Sequence, residues 1–401
     1  MRKKIILVLA LYSSMALLSC NHLKKSALAD FSNVISINYD TEKTREVFLE
    51  KVIEDTRYVR LETDENCLIG EIEQILLTDS FIVTVDPSIA NSIYVFDLNG
   101  KFRNRISRVG NSKSEYLDIQ YVFVNSSNEV GIVDNIKDVI LFFSIDGQFK
   151  RSEHNPYPTT EMNYINGDTV AFFSGNGTNY ADKTANRSYF VIADDEYKPL
   201  YYLGEDPNYY YPEVRFQRGQ NLYRYDDNLY CGLTFDNTIY RIGTSGVEAK
   251  YQLTLSPEKI YEMKMDDFET RDKFISKFEH FTTFSGGFIE CKDFALFRYR
   301  FPENWQHPFR TVLFNRNNGD VVVLANDVDA PELSYFYVPC YRYGDNTIVE
   351  ALSAVDVIRK RDALFGDGAA GDLEPLYDGL SVDSNPVLFF YTINMDRLNE
   401  E

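Results

Sequence analysis

Residues 93–102 read IYVFDLNGKF: four apolar residues, then Asp-Leu-Asn-Gly, then the start of a new apolar run. β-Branched and aromatic residues suit a pleated, half-buried surface, and Asp, Asn and Gly tolerate the backbone angles of tight turns. The phrase therefore reads as strand, turn, strand. It returns as LFFSIDGQF at 141–149 and, more faintly, three more times. YFVIADDEYKPLYYL (189–203) turns near Asp195, TIYRIGTSGVEAKYQL (238–253) at Gly246, and TVLFNRNNGDVVVL (311–324) at Gly319. Successive turns lie about 50 residues apart until the last step of about 73, whose surplus is one insertion at 256–281.

Each phrase follows a second strand–turn–strand pair. These are IEQILLTDSFIVTVD (72–86), YVFVNSSNEVGIVD (121–134), MNYINGDTVAFFS (162–174), LYRYDDNLYCGLTF (222–235) and FIECKDFALFRYRF (288–301). Four short strands in roughly 48 residues is the size of a propeller blade. A Greek-key sandwich would not be expected to repeat one phrase at one period. YVPCYRYGDNTIVEALS (337–353) and PVLFFYTIN (386–394) supply a sixth unit. The predicted fold is all-β, a six-bladed β-propeller with four-stranded blades. The strand NVISINYD (33–40) is expected to complete the last blade and close the ring, since an unpaired sheet edge is a liability. Residues 45–63 are expected to form a connection and an outer strand entering blade one. Ser256 as N-cap and Pro257 after it predict helix in 256–281, inserted between blades four and five. A helix at 353–365 and a loop to 385 are expected inside the last blade.

Arg2, Lys3 and Lys4 precede an apolar run too short and interrupted to span a bilayer as a stable helix. The run ends in LLSC at 17–20, which resembles the lipobox of bacterial lipoproteins, where the Cys is lipidated. Residues 1–19 are thus expected to be a signal peptide, Cys20 the lipidation site, 20–32 an anchor linker and 33–401 one propeller domain. Such a chain is anchored to a membrane without spanning it. Asn21 and HLKKS after the Cys carry no acidic run that would mark surface export. The expected location is the envelope, on the periplasmic side of the outer membrane.

Loss of 1–19 removes three positive charges and takes the net charge from −20 to −23. Phosphate backbones repel such a chain, so nucleic acid is not an expected partner. Cys67, Cys231, Cys291 and Cys340 form no C-x-x-C pair, leaving either one disulfide or buried free thiols. The four His form no zinc-hydrolase pattern, and no G-x-S-x-G occurs.

Residues 57–124 resemble the six-bladed β-propeller lipoproteins abundant in Bacteroidetes. LIGEI (68–72), IYVFDLNGKF and RVGNSKSEYLDI (108–119) carry the resemblance, with SNPVLFFYTIN (384–394) near the end. Where that family usually has Gly-Pro-Gly-Glu-Tyr, this chain keeps Glu115 and Tyr116 but has Lys113-Ser114 before them. The resemblance implies the fold and little about activity.

In a propeller the connections between blades and the B–C turns share one face around the central channel. That face would carry 86–92, 108–118, 134–138, 182–188, and Asp236 with Asn237. Arg108, Asn111, Glu115, Tyr116, Asp86 and Asp134 are the candidate ligand-binding residues. Carboxylates recurring once per blade could ring the channel mouth and bind a divalent cation or a polar ligand; equally, Asp and Asn shape tight turns. The Tyr-rich connection 205–225 offers rings that stack on sugars or peptides, or that pack between blades. The expected function is a ligand-binding or protein-interaction module, with a glycan, a peptide or an outer-membrane protein as partner and no cofactor. The alternative is a hydrolase or lyase with a metal at the channel.

Overall fold

Every sequence repeat becomes one sheet. In the computed structural model six sheets stand around a common axis; from the channel outward their strands follow chain order, except that three sheets carry a strand from the N-terminal part of the chain outermost. The structure describes residues 29–40, 42–157, 159–174, 188–205, 221–232, 236–256, 272–273, 276, 282–284, 287–300, 309–325, 341–359 and 374–399.

Strands are named A to D within each blade. Blade one has Gln74–Leu77, Phe81–Asp86, Ser92–Asp97 and Phe102–Ile106; blade two has Tyr121–Val124, Glu129–Asp134, Val139–Ser144 and Phe149–His154. Blade three has Glu161–Asn166, Thr169–Phe173, Ser188–Asp194 and Pro199–Glu205; blade four has Leu222–Tyr225, Asn228–Gly232, Thr238–Ile242 and Val247–Ser256. In blade five Thr283–Phe284 and Ile289–Glu290 share the A position, followed by Phe294–Arg300, Phe309–Asn315 and Val321–Leu324. Blade six has Tyr341–Tyr343, Thr347–Leu352 and Val387–Ile393, with Ile53–Arg60 outermost. The A strands touch one another in order, and the sixth touches the first.

This packing explains the composition. Strands B and C lie between blades and are covered on both faces, so they read as nearly unbroken apolar runs, FIVTVD and SIYVFD among them. Strand D forms the rim, and there the sequence alternates: in VEAKYQLTLS every second residue is buried. Six apolar clusters fill the six clefts between neighbouring blades.

An N-terminal strand does close the last blade, but it is not 33–40. Ile53–Arg60 pairs antiparallel with Val387–Ile393, so 45–63 supplies the rim of blade six rather than an outer strand of blade one. Ile35–Asp40 lies parallel to strand D of blade four, from Ile35 opposite Tyr251 to Asp40 opposite Ser256. Arg45–Val47 lies parallel to strand D of blade five. The reason is burial. Ile37 and Tyr39 fill the cleft between blades four and five, which needs apolar side chains. The closing strand IEDTRYVR sits on the rim and is mostly polar. Residues 29–60 thus run as a belt outside blades four, five and six.

Of the expected insertion, Asp272, Lys273 and Ser276 are helical, and the rest, with Pro257, lies outside the described residues. Ser256 is the last residue of strand D of blade four. Ser353 caps the helix Ala354–Arg359: its hydroxyl accepts from the Asp356 N–H at 3.1 Å. Cys67 and Cys231 are free buried thiols and Cys291 is buried; Cys340 and Cys20 lie outside the described residues.

Candidate functional site

Strand direction puts the B–C turns and the blade-to-blade connections at one end of the ring, and the A–B and C–D turns at the other. The candidate residues of blades one and two are all at the first end. Asp86 and Asp134 close strand B of their blades and are fully buried. Asp86 accepts N–H bonds from Ile89 and Ala90 within its own turn, and from Gly70 and Glu71 in the preceding connection. Asp134 repeats this, accepting from Ile136 and Lys137 in its turn and from Leu117 in the preceding connection. These carboxylates fasten loops, with their oxygens taken by backbone N–H groups, and neither is exposed to a ligand.

The 107–118 connection is a built loop. Tyr116 is fully buried; its hydroxyl donates to the Asn91 carbonyl at 2.8 Å and accepts from the Arg108 N–H at 3.3 Å. Burial pushes that hydroxyl up to about 12. Glu115 accepts from the Ser112 N–H at 2.8 Å, which holds its carboxyl below the usual range. A Cβ on Gly110 would lie 2.3 Å from that carboxylate, so a side chain there would push it away from its place in the loop. Lys137 donates to the Ser112 and Glu115 carbonyls. Glu115 and Tyr116 therefore organise the loop, while Arg108 and Asn111 remain exposed on it. Asp236 accepts from the Thr238 N–H and the Tyr240 hydroxyl. Asp182 and Tyr209 to Tyr211 lie outside the described residues.

Sequence reasoning passed over the tips of these loops. Leu68, Ile89, Val109, Leu117 and Ile136 are exposed at this end of the ring, Ile89 and Ile136 each 65% so. The loops that carry them are bonded to each other through Asp86, Tyr116, Asp134 and Lys137, so the five share one surface. The signal was legible as an aliphatic residue in the middle of each polar turn, DPSIANS and DNIKD.

At the channel, the inner edge of each A strand has no strand to pair with, and side chains from neighbouring blades supply partners. The Gln74 amide exchanges two hydrogen bonds with the Val122 backbone. Glu161, fully buried at the start of blade three, accepts from the Asn221 and Leu222 N–H groups and from the Asn221 amide, all at 2.7–2.9 Å. Burial raises its carboxyl to about 7. Tyr121, also pushed up by burial, shares this mouth with Gln74, Glu161 and Tyr341. Among the described residues no three His, Cys, Asp or Glu side chains converge to hold a metal ion.

A family model described as a domain of unknown function, DUF4934, matches residues 32–392. No curated protein matches the sequence. Among solved structures, the Bacteroides fragilis protein described as "Putative exported protein" superposes with a TM-score of 0.70 at 19% identity, over 90% of this chain and 100% of that one. A DUF4221 family member from Bacteroides vulgatus superposes at 0.50 and 12% identity, over 85% and 96%. Virginiamycin B lyase from Staphylococcus aureus reaches 0.39 at 13% identity, over 74% and 80%. These likenesses concern the fold.

Proposed function

Because this chain belongs to the DUF4934 family, whose description assigns no activity, we propose a function from its own surface: a lipid-anchored envelope propeller that docks a partner protein on the loop end of blades one and two. The observation that carries this reading is the five exposed aliphatic side chains on mutually bonded loops. Apolar surface held out in water is costly to keep and favourable to cover, and loops already ordered lose little freedom on binding. Arg108 and Asn111 form part of the polar rim, as interfaces of this type have. The partner is a protein with a complementary apolar patch, such as a neighbouring outer-membrane component.

The chain's path favours the same orientation. Asp30 pairs with Val247 and Ala249, directly after the C–D turn of blade four, at the opposite end of the ring. From Cys20 to Ala29 is nine residues, a reach of at most about 30 Å. A lipid on Cys20, on the periplasmic side of the outer membrane, would hold that end near the bilayer and leave the loop end free.

Two results are expected. Metabolic labelling with a palmitate analogue marks the wild type and not Cys20→Ala; equal labelling of both removes the anchor. A photo-crosslinking residue at Ile136 yields discrete adducts in the intact envelope that one at Asn99, on the other face, does not, and Ile89→Asp abolishes them at an unchanged melting temperature. Adducts of equal yield from both positions, or none from Ile136, would rule out docking on this face.

A further inference from the structure

At the other end of the ring, turns of blades five and six enclose a cavity of about 260 Å³. Its wall is built almost wholly of carboxamides and carboxylates. Some of these are already engaged. Asp293 accepts from the amides of Asn317 and Asn346, and these three hold the wall together. Others are not. Asn315 is only 2% exposed, and its oxygen accepts from the Asn317 and Asn318 N–H groups. Among the described residues its amide nitrogen has no partner. Asn394 is turned the same way: its oxygen accepts from the Asp396 N–H, leaving the amide nitrogen free. The carboxylates of Glu54 and Asp396, which also line the cavity, have no hydrogen-bond partner among the described residues either.

The lining therefore combines two amide donors with the exposed carboxylates of Glu54 and Asp396, while Ile393 and Met395 are buried in the core behind them. We infer that this cavity binds a polyhydroxylated ligand, one sugar unit in size. A hydroxyl both donates and accepts, so adjacent hydroxyls can give to Glu54 and Asp396 while receiving from Asn315 and Asn394. Other ligand classes leave part of the wall unused. A metal cation takes oxygen ligands and has no use for amide N–H groups. A protonated amine satisfies only the carboxylates. An anion meets two unpaired negative charges. The volume lies just under the usual range for small-molecule sites, which limits the occupant to a single unit. This site lies on the opposite end from the docking surface and does not depend on it.

Saturation-transfer NMR on the purified full-length protein tests this, with glucose, galactose, mannose and N-acetylglucosamine as probes. Transfer is expected to at least one sugar. Asp396→Ala and Asn394→Asp, which keeps the oxygen that accepts from the Asp396 N–H, should each weaken that binding about tenfold, the worth of one buried or charge-assisted hydrogen bond. Their melting temperatures should stay at the wild-type value, and Ile136→Asp should bind the sugar normally. Transfer to none of the four, undiminished binding in both wall variants, or displacement of the sugar by equimolar calcium or cadaverine would each overturn the assignment.

Discussion

Gly100→Val is expected to destabilise the protein by about 2–5 kcal/mol, a large fraction of a typical domain's stability. Gly100 has φ +82°, a left-handed conformation that costs a side-chain-bearing residue about 1–2 kcal/mol. Space is the second difficulty. A Cβ there would lie 2.1 Å from the Arg60 carbonyl oxygen and 2.9 Å from Val59 Cγ1. Both belong to the strand that closes blade six, so the new side chain would wedge the first blade from the last. Overpacking of this kind adds about 1–3 kcal/mol. The seam is hydrogen-bonded as well: the Glu62 N–H donates to the Gly100 carbonyl, and the Phe102 N–H to the Glu62 carboxylate. Urea denaturation of both proteins measures the effect. A difference below about 1 kcal/mol would mean that the turn does not press on the seam.

Glu161→Ala should be comparably severe. It would remove the carboxylate that accepts from the Asn221 and Leu222 N–H groups and the Asn221 amide between blades three and four, and a buried donor that loses its acceptor costs about 1–3 kcal/mol. The wild-type residue also confers a pH dependence. Burial disfavours the charged form and raises its carboxyl to about 7 in the folded protein, against 4.5 for a free glutamate side chain. A group raised on folding stabilises fully below its unfolded value, and that contribution is lost as pH rises through the folded one. The loss amounts to about 3 kcal/mol at most. The stability advantage of wild type over Glu161→Gln should therefore shrink from about pH 5 to about pH 8. An advantage that grows over this range would show that the three donors, not burial, set the carboxyl's ionisation.

Much of the fold was legible because the chain repeats one phrase. The turn of that phrase is built alike each time: Gly100 and Gly147 are left-handed, with φ +82° and +78°, and Gly319 follows at +85°. In the third repeat Tyr197 takes that position at +61°, which is why the phrase looks faint there. The closing strand was harder to find. The strand at 33–40 had no pair of its own and an open edge needed one, yet the rim of a blade asks for little apolar surface, and a cleft on the outside of the ring asks for more. Asp86 and Asp134 were conspicuous because they recur; recurrence here marks a turn that every blade needs to fasten. Ile89 and Ile136 were hidden within polar turns that looked complete without them. The polar cavity could not be seen at all. Glu54, Asn315 and Asn394 are far apart in the chain and meet only because the ring closes.

That closure has a consequence for the order of events when the protein is made. Ile53–Arg60 finds its partner in Val387–Ile393, more than 300 residues later. An N-terminal rim strand must wait while five blades form behind it, until nearly the whole chain has been synthesised. Contacts this distant in sequence are slow to form, because the intervening loop must be closed before they contribute. The belt at 35–47 shortens the wait. It pairs with blades four and five, which appear earlier, and so holds the closing strand beside the gap that blade six will fill. A chain released short of residue 387 would keep five blades and an open edge, the kind of surface that aggregates.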